Sequence, residues 1–192
     1  MTALTLNLDS IAHLTHEQFR ELCRENRDIR LELTAKGELI VMPPTGWESG
    51  RRNSNVNADL VIWNRQTKIG SVFDSSTGFI LPNGAVRSPD AAWVSTERLI
   101  ALNPNPEGFL PLAPDFVIEL RSASDRLKTL QDKMQEYIDN GVRLGWLLNP
   151  KDRTVEIYRI GQGIEVLQSP TEVSGEDVLP GFVLSLERIF GS

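Results

Sequence analysis

Five consecutive residues constrain this chain more than any others: Phe116-Val117-Ile118-Glu119-Leu120 is apolar at every position but one, and that one is an acid. A short run of branched and aromatic side chains reads as a central strand covered on both faces, because a solvated face would alternate with polar residues. Side chains alternate along a strand, so Asp115, Val117, Glu119 and Arg121 share one face, and Phe116, Ile118 and Leu120 share the other. Glu119 therefore lies inside the sheet region, where a carboxylate must find a cation, a metal or several hydrogen bonds. A structural salt bridge to Arg121 or another arginine meets that demand as well as a functional site does.

The flanking segments supply the cover. Thr15 and Gln18 form a capping box for a helix from about His16 to Asn26. Residues 29–33 and 38–42 read as two strands around Lys36-Gly37, stopped by Pro43-Pro44. From Gly46 to about Lys68, Val56, Leu60 and Trp63 recur at helical spacing, which predicts the first long helix. A meander is expected next, with strands over 71–74, 78–81 and 86–94 and a tight turn at Asn83-Gly84. A short helix over 96–102 follows. Beyond the central strand, Ser124 or Asp125 is expected to cap a second long helix that buries Leu127, Leu130, Met134, Tyr137 and Ile138 and closes at Asn140-Gly141. Strands over 145–148 and 154–158 and an edge at 164–167 complete a mixed sheet flanked by helices, an α/β (α+β) class.

Composition narrows the function classes. With 192 residues, 40% of them hydrophobic, the chain is expected to be one domain, 1–192: an N-terminal helix and hairpin over 15–43, a core over 46–160, and C-terminal edge strands and a short helix over 161–192. No apolar stretch approaches the ~20 residues of a membrane helix, and the N-terminus lacks the pattern of a signal peptide, so a cytoplasmic location without membrane contact is expected. Cys23 is alone, and His13 and His16 are the only histidines, which disfavours zinc and any nucleophile that needs a distant histidine base. A net charge of -6 argues against broad coating of nucleic acid, while a local site for phosphates stays open. Trp47, Trp63, Trp93 and Trp146 are expected in the core rather than as base-stacking platforms.

A second acid, Asp90, follows Ser88-Pro89 at the entry of Ala91-Ala92-Trp93-Val94. This segment, with Pro114-Asp115-Phe116-Val117-Ile118-Glu119, Arg121-Ser122-Ala123-Ser124-Asp125, residues 133–137 (Lys-Met-Gln-Glu-Tyr) and residues 141–150 from Gly141 to Pro150, resembles the Uma-type "putative restriction endonuclease" family of the PD-(D/E)XK nuclease-like superfamily. The resemblance spans roughly residues 15 to 190 and includes Gly37-Glu38-Leu39 and Leu179-Pro180-Gly181-Phe182. It rests on the order and spacing of motifs that are individually weak.

The resemblance implies a restriction-endonuclease-like fold and a Mg2+- or Mn2+-dependent hydrolase acting on DNA. By position, Asp90 and Glu119 match the metal-binding acids, and the carbonyl of Leu120 is the implied third metal ligand. Two acids and no histidine suit Mg2+ or Mn2+ better than Zn2+. Where the motif has lysine, this chain has Arg121, which cannot accept a proton but can hold a phosphate. The matching lysine is on the following helix, at Lys133. It borders the buried stripe, whereas Lys128 lies ~140° away around the helix. Glu48 is the implied helical acid, although a helix-start acid paired with Arg52 explains it equally. The alternative function is a catalytically degenerate fold that binds DNA or protein, with Glu119 paired to Arg121. A homodimer is expected, since cutting both strands commonly takes two sites and the 164–167 edge invites pairing.

Overall fold

The computed structural model describes residues 3–8 and 12–191. An edge strand β1 (Leu4–Leu6) precedes helix α1 (His16–Glu25). The capping box at the start of α1 is formed in both directions between Thr15 and Gln18. Strands β2 (Arg30–Leu33) and β3 (Leu39–Met42) form the antiparallel hairpin, turning through Gly37 at φ 83°. Helix α2 (Trp47–Thr67) then buries Val56, Leu60 and Trp63, and it ends at Lys68 in the left-handed conformation.

The segment expected as a meander is a correction. Strand β4 (Gly70–Asp74) is followed by β5 (Phe79–Ile80), β6 (Val86–Arg87) and β7 (Ala91–Ser95), so the stretch 86–94 is two strands rather than one. They belong to different sheets: β6 joins β5 and β2, while β7 lies between β4 and β8 (Phe116–Leu120). The break falls at Ser88-Pro89-Asp90. Proline has no N–H to give to a ladder, and the Ser88 N–H donates to the Glu32 side chain (2.9 Å) instead of to a strand.

Between β7 and β8 runs α3 (Thr96–Leu102), capped by Ser95. After β8 comes α4 (Leu127–Asp139), which begins later than expected and without a side-chain cap. Asp125 is spent one turn earlier, where its Oδ2 accepts the Ser122 N–H at 2.8 Å. The chain continues through β9 (Leu144–Asn149), β10 (Thr154–Arg159), β11 (Glu165–Gln168), the small pair β12 (Glu172–Ser174) and β13 (Val183–Ser185), and a closing turn of helix α5 (Glu187–Phe190).

The larger sheet has the order β11-β10-β9-β8-β7-β4 and is mixed: β8 and β9 run parallel, and the other pairs are antiparallel. As the alternation requires, Phe116, Ile118 and Leu120 pack with Val56, Leu60 and Trp146 on the α2 face, and Val117 packs with Met134 and Tyr137 on the α4 face. Gly145 lets α4 press against the sheet, because a Cβ there would stand 2.5 Å from Met134 Cε. The smaller sheet, β1-β3-β2-β6-β5, covers its own cluster of Phe19, Leu33, Leu39 and Val86. Among the described residues no helix is long and apolar enough to cross a membrane.

Candidate active site

The pairing of β7 with β8 ends at Ala91↔Ile118. One residue further on, the strands part, with Asp90 on one and Glu119 on the other. A single hydrogen bond spans the gap: the Leu120 N–H donates to Asp90 Oδ2 at 2.8 Å. The N–H and C=O of one strand residue point to the same side, so the Leu120 carbonyl is directed to this edge as well. Helix α2 holds Asp90 from above. Asn57 Nδ2 donates to the Asp90 carbonyl oxygen (3.0 Å), and Asn53 Nδ2 approaches Asp90 Oδ1 at 3.4 Å. Asn53 and Asn57 are one turn apart, so one helix face presents both amides.

Glu119 faces α4 and is 4% exposed. Tyr137 donates its hydroxyl to Glu119 Oε1 at 3.0 Å, and Lys133, one turn earlier, reaches the same oxygen at 2.8 Å. Both contacts end on Oε1 and neither on Oε2. The Lys133 ammonium is also 2.8 Å from Oε1 of Glu32, a β2 residue 2% exposed. Glu32 accepts from Arg87 and the Ser88 N–H, and Arg87 donates to Glu136 at 2.6 Å. The network clamps the smaller sheet onto α4 and fixes the Ser88-Pro89-Asp90 turn.

The electrostatics follow from this crowding. Burial pushes the Glu119 carboxyl up to about 7. Lys133 opposes the shift, and the like charges of Asp90 and Glu32 add to it. Asp90 keeps some exposure to the cleft, but burial still raises it, against the pull of the Leu120 N–H and Lys133. Lys133 moves the other way to a buried lysine: burial would lower it, but Glu119 and Glu32 together hold it above its ordinary value. Glu32 is held below the usual carboxylate range, because Lys133 and Arg87 outweigh its burial.

Asp90, Glu119, Leu120, Lys133 and Glu48 line one cleft of about 1320 Å³. Glu48 sits on its rim, half-exposed and bonded to Arg52 at 2.8 Å. Lys128 is solvated, 80% exposed and paired with Asp132 on its own helix. Arg121 does not join the acids. Its guanidinium turns to Asp152 (2.9 Å) and Asn149 (3.3 Å) at the end of β9, so the expected alternative of a Glu119–Arg121 pair is corrected to Glu119–Lys133. The reason is reach: the α4 lysine comes down onto the buried end of β8, while Arg121 lies past the strand end beside the β9–β10 turn. His13 and His16 line a separate recess of about 490 Å³.

Sequence reasoning missed Glu32, Asn53, Asn57 and Tyr137. Glu32 alternates with Leu31 and Leu33, a pattern that reads as a solvated face; only the i, i+4 amides of α2 gave a signal, and a weak one. Among the described residues no group of three or more His, Cys, Asp or Glu side chains is arranged to hold a metal. The donor set that does converge is two carboxylates and a carbonyl. Its chemistry suits a hard divalent cation.

Comparison with known proteins adds to the geometry. Residues 16–187 match the family Uma2, described as "Putative restriction endonuclease". A solved structure titled as a putative nuclease belonging to DUF820 from Anabaena variabilis superimposes with a TM-score of 0.77, covering 92% of this chain and 97% of that one at 20% identity. No protein with a curated description matches. The mixed α/β architecture is that of the solved nuclease-titled neighbour, and the chain belongs to the Uma2 family.

Proposed function

We propose that this chain is a divalent-metal-dependent endonuclease that hydrolyses DNA phosphodiester bonds. The observation that carries the reading is the meeting of Asp90 and Glu119 at the point where β7 leaves β8, with a lysine ammonium 2.8 Å from Glu119. Asp90, Glu119 and the Leu120 carbonyl would hold Mg2+ or Mn2+. Such an ion supplies charge neutralisation at phosphoryl oxygens and makes water nucleophilic at neutral pH.

The chain's own residues do the rest. Lys133 stays protonated, because two carboxylates hold its pKa up, so it positions and stabilises rather than abstracting a proton. An ammonium has three N–H donors, and Glu32 and Glu119 take two. The third is available to orient the attacking water or a phosphoryl oxygen. Asn53, Asn57 and the Leu120 N–H fix Asp90, and Glu48 on the rim is an accessory acid. Arg121, bonded to Asp152, takes no part in this scheme. The lone Cys23 fits a reducing compartment such as the cytoplasm.

Calorimetric titration with Mn2+ tests the proposal. Binding is expected, and it should release a proton below pH 7, because the ion displaces the proton that Glu119 carries up to about 7. Affinity should therefore weaken as pH falls from 8 to 6. Absence of Mn2+ binding at every pH would leave the Lys133 network as a structural clamp and favour the non-catalytic alternative.

The site also acts in pairs under this reading. Strand β11 is one edge of the larger sheet, and Val166 on it and Ile164 just before it are about half exposed. Two-fold pairing there would cover the edge and give an assembly with two sites. Light scattering at micromolar concentration should give twice the 21.5 kDa chain mass. A monomer mass would remove this part of the proposal.

A further inference from the structure

Trp47 is 80% exposed on the first turn of α2, which corrects the expectation that all four tryptophans are core. Trp63, Trp93 and Trp146 are buried. A single exposed apolar side chain is ordinary, but this one ends a contiguous apolar strip that leads to the site. Glu32 stands opposite Ile40, and Arg30 opposite Met42, in the β2–β3 pairing. An apolar strip therefore starts beside the polar site and runs through Met42, Pro43 and Pro44 to Trp47, all lining the same cleft. The cleft, about 1320 Å³, exceeds the ~300–1,000 Å³ typical of small-molecule sites, which suits a polymer. Nine acids against five basic residues line it, so a chain with anionic links would enter only alongside the cation that Asp90 and Glu119 would hold, while flat aromatic faces match the apolar strip that ends at Trp47. In a duplex the base faces are hidden against each other, so an indole reaches one only where a strand is unpaired.

We infer that the cleft takes a nucleic-acid strand with an unpaired base, stacked on Trp47 while the adjoining phosphate faces Asp90 and Glu119. The inference rests on the nuclease reading and adds the substrate class, single-stranded or locally unpaired nucleic acid. Trp47 is the residue that selects it.

Because Trp63, Trp93 and Trp146 are buried and Trp47 is exposed, the red-shifted emission that wild type has and Trp47→Ala lacks reports on Trp47. Oligothymidylate, and the same strand annealed to oligoadenylate, would be titrated against the protein in Ca2+, a hard cation that neutralises the acids. Strand integrity would be checked on a gel. The single strand should quench the exposed emission, and the duplex should bind at least ~10-fold more weakly. Trp47→Ala should lose the quenching and weaken single-strand binding by about 5- to 150-fold, the range for losing one base stack. Trp47→Phe should retain most of the affinity.

Equal affinity of wild type and Trp47→Ala for the single strand would overturn the inference, as would equal binding of duplex and single strand. So would an emission shift that follows protein concentration and vanishes in the alanine variant, because Trp47 would then be a subunit contact. Cleavage of circular single-stranded DNA in Mn2+ separates the two levels. Wild type that binds the single strand without cleaving would sink the nuclease reading and leave the stacking. Wild type that cleaves, with unchanged binding by Trp47→Ala, would sink the stacking alone.

Discussion

Glu119→Gln should abolish Mn2+-dependent cleavage while leaving a folded protein. The loss should reach about 10²–10³-fold or more, since a charged ligand to the ion contributes several kcal/mol in the transition state and each 1.36 kcal/mol is tenfold in rate. Folding survives because the amide oxygen can still accept from Tyr137 and Lys133, and Lys133 keeps Glu32 as a charged partner. The pH dependence of stability carries the sign that separates this from an ordinary ion pair. The folded Glu119 carboxyl is raised to about 7 from 4.5, so the native state holds the proton more tightly than the unfolded chain. Its contribution is present below about pH 4.5 and is lost as pH rises toward 7. The glutamine variant escapes that loss. Its Tm relative to wild type should climb between pH 5 and pH 8 in metal-free buffer, and added Mn2+ should stabilise only the wild type. A variant that is less stable than wild type at pH 8 without metal would mean that Glu119 serves chiefly to pair with Lys133.

Lys133→Ala should be the most damaging single change on α4, and it should act twice. Removing the ammonium leaves Glu32 and Glu119 buried beside each other with Arg87 as the remaining cation near Glu32. Breaking a buried pair in this way costs about 3–5 kcal/mol, a large share of the stability of a domain this size. Cleavage should fall to background with it. Lys133→Met separates the effects, because it keeps an apolar stem of similar length, so part of the lost packing should return while activity does not. Lys128→Ala, which breaks an exposed i, i+4 pair with Asp132, should stay within about 0.5 kcal/mol of wild type and cleave normally. Chemical denaturation and cleavage of circular single-stranded DNA by the three variants read both effects. Equal activity of Lys133→Ala and wild type would remove the lysine from the reaction.

Sequence alone determined the features set by near neighbours. The capping box at Thr15, the β2–β3 hairpin, the helices at 47–67 and 127–139 and the doubly covered strand at 116–120 follow from hydrogen bonds a few residues apart and from periodic burial. The same periodicity put Glu119 on the face shared with Val117, and helix geometry favoured Lys133, which the family resemblance pointed to, over Lys128, so two of the residues in the cleft were legible before any fold was known. Tertiary structure decided what depends on distant segments meeting. Glu32 binds a lysine 101 residues away, and its alternating strand looks solvated until α4 lies over it. Arg121 and Glu119 share a strand face in the pattern, yet the β9–β10 turn captures the arginine and α4 supplies the lysine. Residues 86–94 look like one strand and become two because Pro89 can donate to neither ladder and Glu32 takes the Ser88 N–H. Local pattern specifies which face a side chain takes; only the packing of whole elements specifies what waits on that face, because burial and charge pairing are properties of the assembled layers.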